Sequence, residues 1–193
     1  MFTWLVTHKS AILWLHDGQF VITKSDDMVL TVWQSISHDG ACMTVDSIDD
    51  ESYTFFAMGE SFSKTSFAHK KVWDVFNIEC SMKMGDPLDG HLVSGHIDTT
   101  ATISEICRWD DDALQLYIKY DQMFDRLVVP KGSIAINGVS LTVVDVTPGW
   151  CSVWLIPLTQ QETNLWALGI DDIVNIEFDM LAKYAVWRGR GDQ

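Results

Sequence analysis

Apolar and small polar residues alternate along residues 132–144, and the alternation breaks at Asn137-Gly138. That dipeptide suits a two-residue hairpin because both positions tolerate positive φ. Residues 35–45 alternate in the same way around Asp39-Gly40, and 153–156 and 174–178 are further short strand-like runs. Several short strands separated by turn residues predict an antiparallel barrel or sandwich. Short helices are predicted after Thr65 and Thr163, and an amphipathic one over 180–187, ended by Gly189 and Gly191.

The pattern occurs twice. At an offset of 98, five of the eleven positions in 35–45 are identical to those in 133–143. The same offset places residues 72–79 on 170–177 and Thr65 on Thr163. Near the start the offset is 91, with residues 3–7 matching 94–98, so the second copy carries a seven-residue insertion. Each copy is long enough for one small domain. The division expected is 1–84, 85–179 and a terminal helix and tail, 180–193.

Composition narrows the partners. An apolar fraction of 47% supports a sizeable core, and a net charge of −14 disfavours nucleic acid and acidic lipid surfaces. Residues 1–9 lack the pattern of a signal peptide, and no apolar run is long enough to span a bilayer. Cys42, Cys80, Cys107 and Cys151 are widely spaced and read as reduced thiols of a cytoplasmic protein. Nine tryptophans are unusual, and core and interface packing is the expected use.

Several residues admit two readings. Ser140 and Thr142 share one strand face, as do Cys42 and Thr44 in the first copy. Such small residues either pack inside a tight barrel or bind a ligand. Cys42 has no second Cys or His at metal-ligand spacing, so no metal is expected. His91 and His96 stand five apart, which on a strand puts them on opposite faces unless a bulge intervenes. Lys131 reads as a solvated loop charge, Asp179 as the N-cap of the terminal helix, and Phe2 and Thr3 as a frayed end.

The motifs taken together resemble the riboflavin synthase α-chain family, also called the lumazine-binding family. The resemblance rests on Met1-Phe2-Thr3, Gly90-His91-Leu92-Val93-Ser94-Gly95-His96-Ile97-Asp98, Val129-Pro130-Lys131-Gly132-Ser133, Asn137-Gly138-Val139-Ser140-Leu141-Thr142-Val143, Leu155-Ile156-Pro157, Thr163-Asn164-Leu165 and Asp179-Met180-Leu181-Ala182-Lys183-Tyr184. It implies an all-β protein of two six-stranded antiparallel Greek-key barrels, each able to hold one lumazine. It further implies a homotrimer that pairs the N-terminal barrel of one subunit with the C-terminal barrel of the next. The implied activity is that of a transferase. Two molecules of 6,7-dimethyl-8-ribityllumazine exchange a four-carbon unit to give riboflavin and 5-amino-6-ribitylamino-uracil, without metal or organic cofactor. A non-catalytic lumazine- or flavin-binding antenna protein is the alternative.

By the same resemblance His96, Cys42, Ser140, Asp179 and Phe2 are catalytic, with His96 preferred for proton transfer. Thr3, Ser35, Thr44, Phe56, Met58 and Ser61 bind substrate in or near the first barrel. His91, Lys131, Thr142, Ile156 and Thr159 bind it in the second. The family's pattern departs at Trp4, where Gly is usual, and at Leu158, where a polar residue is usual. Glu60-Ser61-Phe62 and Thr65-Ser66-Phe67 also depart. These changes leave the C-terminal barrel the better preserved, and it is expected to bind the more tightly. The terminal helix is shorter than usual.

Overall fold

A computed structural model describes residues 1–3, 5–109 and 112–189. The first half contains β1 (His8–His16), β2 (Gln19–Thr23), β3 (Ser35–His38), β4 (Ala41–Ile48), β5 (Ser52–Phe56) and β6 (Val75–Cys80). The second contains β7 (Thr99–Arg108), β8 (Leu114–Lys119), β9 (Ser133–Ile136), β10 (Val139–Thr147), β11 (Trp150–Leu155) and β12 (Ile173–Phe178). Each set closes into an antiparallel barrel, ordered β1-β2-β5-β4-β3-β6 and, equivalently, β7-β8-β11-β10-β9-β12.

The expected hairpins form where the turn residues are. Asp39 and Gly40 adopt φ 45° and 87°, and Asn137 and Gly138 adopt 45° and 75°. In β3–β4 this sets Ser35 opposite Thr44, and in β9–β10 Ser133 opposite Thr142. The pleat then turns Ile36 and Val45 inward in the first barrel and Ile134 and Val143 inward in the second. Bulges also repeat, after Ile12 and Ile103 and after Val45 and Val143.

The two cores differ chemically. The second is mostly aliphatic, built on Ile103, Leu116, Ile118, Ile136, Val153 and Ile176. The first packs Phe20, Phe55, Phe67 and Phe76, with the Phe20 and Phe55 rings stacked at 4.8 Å. His38 is fully buried among them, where the second copy has Ile136. Its Nε2 lies 2.8 Å from the Tyr53 hydroxyl, and its Nδ1 has no partner among the described residues. Burial pushes the imidazole down to about 3.

The barrels meet through polar side chains related by the repeat. Asn77 Nδ2 donates to the Asn137 carbonyl, and Asn175 Nδ2 donates to the Asp39 carbonyl. Asn164 N donates to Asn77 Oδ1, and Ser66 N donates to Asn175 Oδ1. The symmetry fails at Asn164, whose Nδ2 donates to Asp39 Oδ1 where the first copy has Ser66, and again at an ion pair. Asp39, buried, is bridged by Lys70 at 2.6 Å, where the second copy has Asn137 and Leu168.

Among the described residues, α-helices α1 (Gly59–Lys64), α2 (Pro157–Glu162) and α3 (Met180–Arg188) supplement the strands. The helices expected after Thr65 and Thr163 are 3-10 turns over Ser66–His69 and Asn164–Ala167, each capped by its threonine hydroxyl. The tryptophans do not fill the cores: none of those described is buried, and Trp33, Trp187 and Trp73 are the most exposed. On the strands Trp14 and Trp154 alternate with inward residues, while Trp33 and Trp73 occupy turns. Trp4 lies outside the described residues.

Candidate active site

The segments before each barrel are neither frayed ends nor strands. Residues 1–3, 5–7 and 90–98 form irregular straps joined by an antiparallel bridge, Phe2 to Val93, two positions related by the 91-residue offset. Each strap packs on the other barrel's core: Val6 on the second, Ile97 on the first. A carboxylate from the end of each barrel's last strand holds them. Glu79 accepts from the Thr3 N–H and hydroxyl, and Glu177 accepts from the Ser94 N–H and hydroxyl and the Gly95 N–H. Burial raises the Glu177 carboxyl above its usual range, against the pull of the Ser94 donors.

The straps lay their residues over the strands expected to bind ligand. The Gly95 carbonyl accepts from Cys42 N at 2.8 Å. A Cβ on Gly95 would stand 2.6 Å from the Cys42 Cβ and 2.9 Å from the Phe2 ring, so only glycine permits this approach. On the other barrel a Cβ on Gly90 would stand 2.1 Å from the Thr3 carbonyl oxygen and 3.0 Å from the Ser140 Cβ. His91 Nδ1 lies 2.8 Å from the Ser140 hydroxyl. Burial lowers the His91 imidazole, and the Asp179 carboxylate acts in the opposite sense. His91 Nε2 is buried with no partner among the described residues.

Two groups therefore assemble: Phe2, Gly95 and Cys42 on the first barrel, and Thr3, Gly90, His91 and Ser140, with Asp179 nearby, on the second. His96 stands apart, exposed, with only its N–H engaged, by Ser94 Oγ. The opposite-face argument for the two histidines does not apply, because their segment is a strap and not a strand.

The remaining candidates line the outer wall beside these groups. Thr44 and Thr142 are exposed on the ladder, opposite Ser35 and Ser133. The Val45–Phe55 and Val143–Val153 pairings carry β5 and β11 past them. Phe56 and Met58 thus emerge beyond Thr44, and Ile156 beyond Thr142, all exposed at the entrances to α1 and α2. Ser61 and Thr159 use their carbonyls to accept from Thr65 and Thr163. Lys131 is exposed in the left-handed conformation, its N–H donating to the Val143 carbonyl. Asp179 caps α3 through the Leu181 N–H. None of these residues lines the interbarrel cleft of about 520 Å³ that is bounded by Ser66, Lys70, Trp73, Asn137 and Asp171.

Glu79 and Glu177, which hold the straps, were absent from the sequence-based candidates. The available signal was the repeated Asn-Ile-Glu at 77–79 and 175–177.

Comparison with known proteins agrees with the doubled architecture. The lumazine binding domain family matches twice, at residues 9–81 and 94–179. The riboflavin synthase of Actinobacillus pleuropneumoniae is 36% identical over 189 residues, covering 95% of this chain and 87% of that protein. The riboflavin synthase of Escherichia coli is 36% identical over 161 residues, covering 82% of this chain and 76% of that protein. The crystal structure of LumP complexed with riboflavin superposes with a TM-score of 0.85 at 23% identity, covering 92% of this chain and 99% of that one. LumP with 6,7-dimethyl-8-(1'-D-ribityl) lumazine gives 0.82 at 22% identity, with the same coverage. Doubled barrels, doubled family match and relatives along most of the chain lead to one conclusion: this chain belongs to the riboflavin synthase, or lumazine-binding, family.

Proposed function

We propose that the chain is a riboflavin synthase that binds two 6,7-dimethyl-8-ribityllumazines and moves a four-carbon unit from one to the other. All atoms of the two substrates appear in riboflavin and 5-amino-6-ribitylamino-uracil, so no external oxidant is required. The observation that carries the reading is the His91–Ser140 pair beneath the Thr3 strap, with Asp179 nearby. A neutral His91 can accept from the Ser140 hydroxyl through Nδ1, so that as the Ser140 oxygen takes a proton from the acidic 7-methyl group its own passes to Nδ1, an arrangement able to relay that proton. Cys42 and Phe2 form the corresponding wall on the first barrel, and Lys131, Thr142, Ile156 and Thr159 hold the ring and its ribityl chain on the second. Holding two flat rings face to face supplies much of the acceleration through proximity.

Thr44, Thr142, Lys131 and Ile156 lie on open barrel surfaces, which supports a site completed by another subunit in a homotrimer. α3 offers an uncovered apolar set for that assembly, Leu181, Tyr184 and Trp187. Incubating the purified protein with the lumazine and following riboflavin tests the reaction, and sedimentation beside activity tests the assembly. Riboflavin formation that vanishes on dilution to monomer is expected. Tight binding without turnover would make the chain an antenna-type binder instead, and a fully active monomer would remove the intersubunit site.

A further inference from the structure

Trp33 and Lys131 are the same position in the two copies, related by the 98-residue offset. Their backbones match. Both are left-handed, with φ 73° and 64°. The Trp33 N–H donates to the Val45 carbonyl at 2.9 Å, and the Lys131 N–H to the Val143 carbonyl at 2.8 Å. The Val45 and Val143 N–H groups then return bonds to the Gln34 and Gly132 carbonyls, each at 2.9 Å. Each side chain is therefore rooted one residue beyond the exposed threonine of its barrel, Thr44 or Thr142.

A bulky indole in a left-handed turn is strained, and at 82% exposure it recovers nothing by packing in the isolated chain. Trp73 shares that conformation, at φ 76°, but it borders the interbarrel cleft, away from the binding strands. Among the described tryptophans, Trp33 alone stands beside Ser35 and Thr44. An electron-rich indole there suits a flat, electron-poor heterocycle.

We infer that Trp33 is the stacking platform of the first barrel's site, packing its indole on the pteridine ring of the lumazine held at Ser35, Cys42 and Thr44. The second barrel uses the Lys131 ammonium at the corresponding place, so the two sites grip the same molecule by different chemistry. One reads a flat face and the other an electron-rich atom of ring or ribityl chain. The inference rests on the proposed lumazine-binding reading and adds a specificity-determining residue to it.

The test compares the full-length protein with Trp33→Lys and Trp33→Phe, titrated with 6,7-dimethyl-8-ribityllumazine through the ligand's own fluorescence. The lysine variant copies the residue that the second barrel already carries in this turn, so the fold is kept. Trp33→Lys should weaken one of the two sites about five- to tenfold and leave the other unchanged. Trp33→Phe should retain most of the affinity, because the flat face survives. Two unchanged affinities in Trp33→Lys would overturn the platform while leaving lumazine binding in place. Unchanged affinities with altered sedimentation would overturn it in favour of a subunit contact. An unaltered protein that binds no lumazine would instead remove the functional reading, and the platform with it.

Discussion

Lowering the pH should destabilise the first barrel through a residue the second barrel lacks. His38 is enclosed by Tyr53, Phe55 and Phe76, with the Phe55 ring centroid at 4.2 Å, and stays neutral down to about 3. In the unfolded chain it takes up a proton at the ordinary imidazole value of 6.5. Between those values the unfolded state binds the extra proton, so stability falls as the pH falls. With an unfolded pKa of 6.5 and a folded one near 3, going from pH 7 to pH 5 costs about 2 kcal/mol. The control is His38→Ile with Tyr53→Phe, which installs the Ile136 solution of the second barrel and leaves no stranded hydroxyl. Urea unfolding followed by far-ultraviolet circular dichroism gives the midpoint at each pH for both proteins. The lowered His91 adds to the acid loss and the raised Glu177 opposes it, but both are common to the two proteins and cancel in the comparison. The wild-type protein should lose about 2 kcal/mol more than the control over this interval. Parallel pH profiles would refute the account.

Three further outcomes follow from the geometry. Lys70→Leu strands the buried Asp39 carboxylate and should cost about 3–5 kcal/mol, whereas adding Asp39→Asn rebuilds the Asn137–Leu168 pairing and should recover most of it. Thermal unfolding of the two variants checks this, and a double variant no better than the single one would contradict it. Ser140→Ala removes the His91 partner and should weaken lumazine at the second barrel by about 1–3 kcal/mol while slowing riboflavin formation, as fluorescence titration and turnover would show. Residues 1–84 and 85–193, made separately, should bind lumazine more weakly than the intact chain, with 85–193 the tighter half, and mixing them should restore affinity by returning Val6 and Ile97 to the opposite cores. Halves that each bind as the whole chain does would make the straps dispensable.

The barrels were legible in the sequence because local rules specify them. Asp39-Gly40 and Asn137-Gly138 admit one kind of turn, and the alternation around them admits one inward face. The exchange of straps was not legible. The 91-residue offset marked residues 3–7 and 94–98 as equivalent, but nothing local tells Val6 which core to enter. Strand parity put His91 and His96 on opposite faces, and one is indeed buried and the other exposed, although their segment is a strap and not a strand with a ladder of its own. α1 and α2 escaped notice because neither buries a residue, and so neither carries a helical period. His38 reads as a polar strand residue until the aromatic rings around it are seen, and the tryptophans read as core until their turns and outer faces are known.

The exchanged straps also bear on how the chain is made. β6 ends at Cys80, yet the first barrel's core still lacks Ile97, which leaves the ribosome roughly one to three seconds later at ordinary elongation rates. The second barrel has the opposite history: its missing residue, Val6, is synthesised before any of that barrel's strands and must wait until β12 is made for its seat. Neither half is finished when its own strands are. The last step of folding is a mutual closure, and a chain interrupted between the halves ends with one core open and one strap unused.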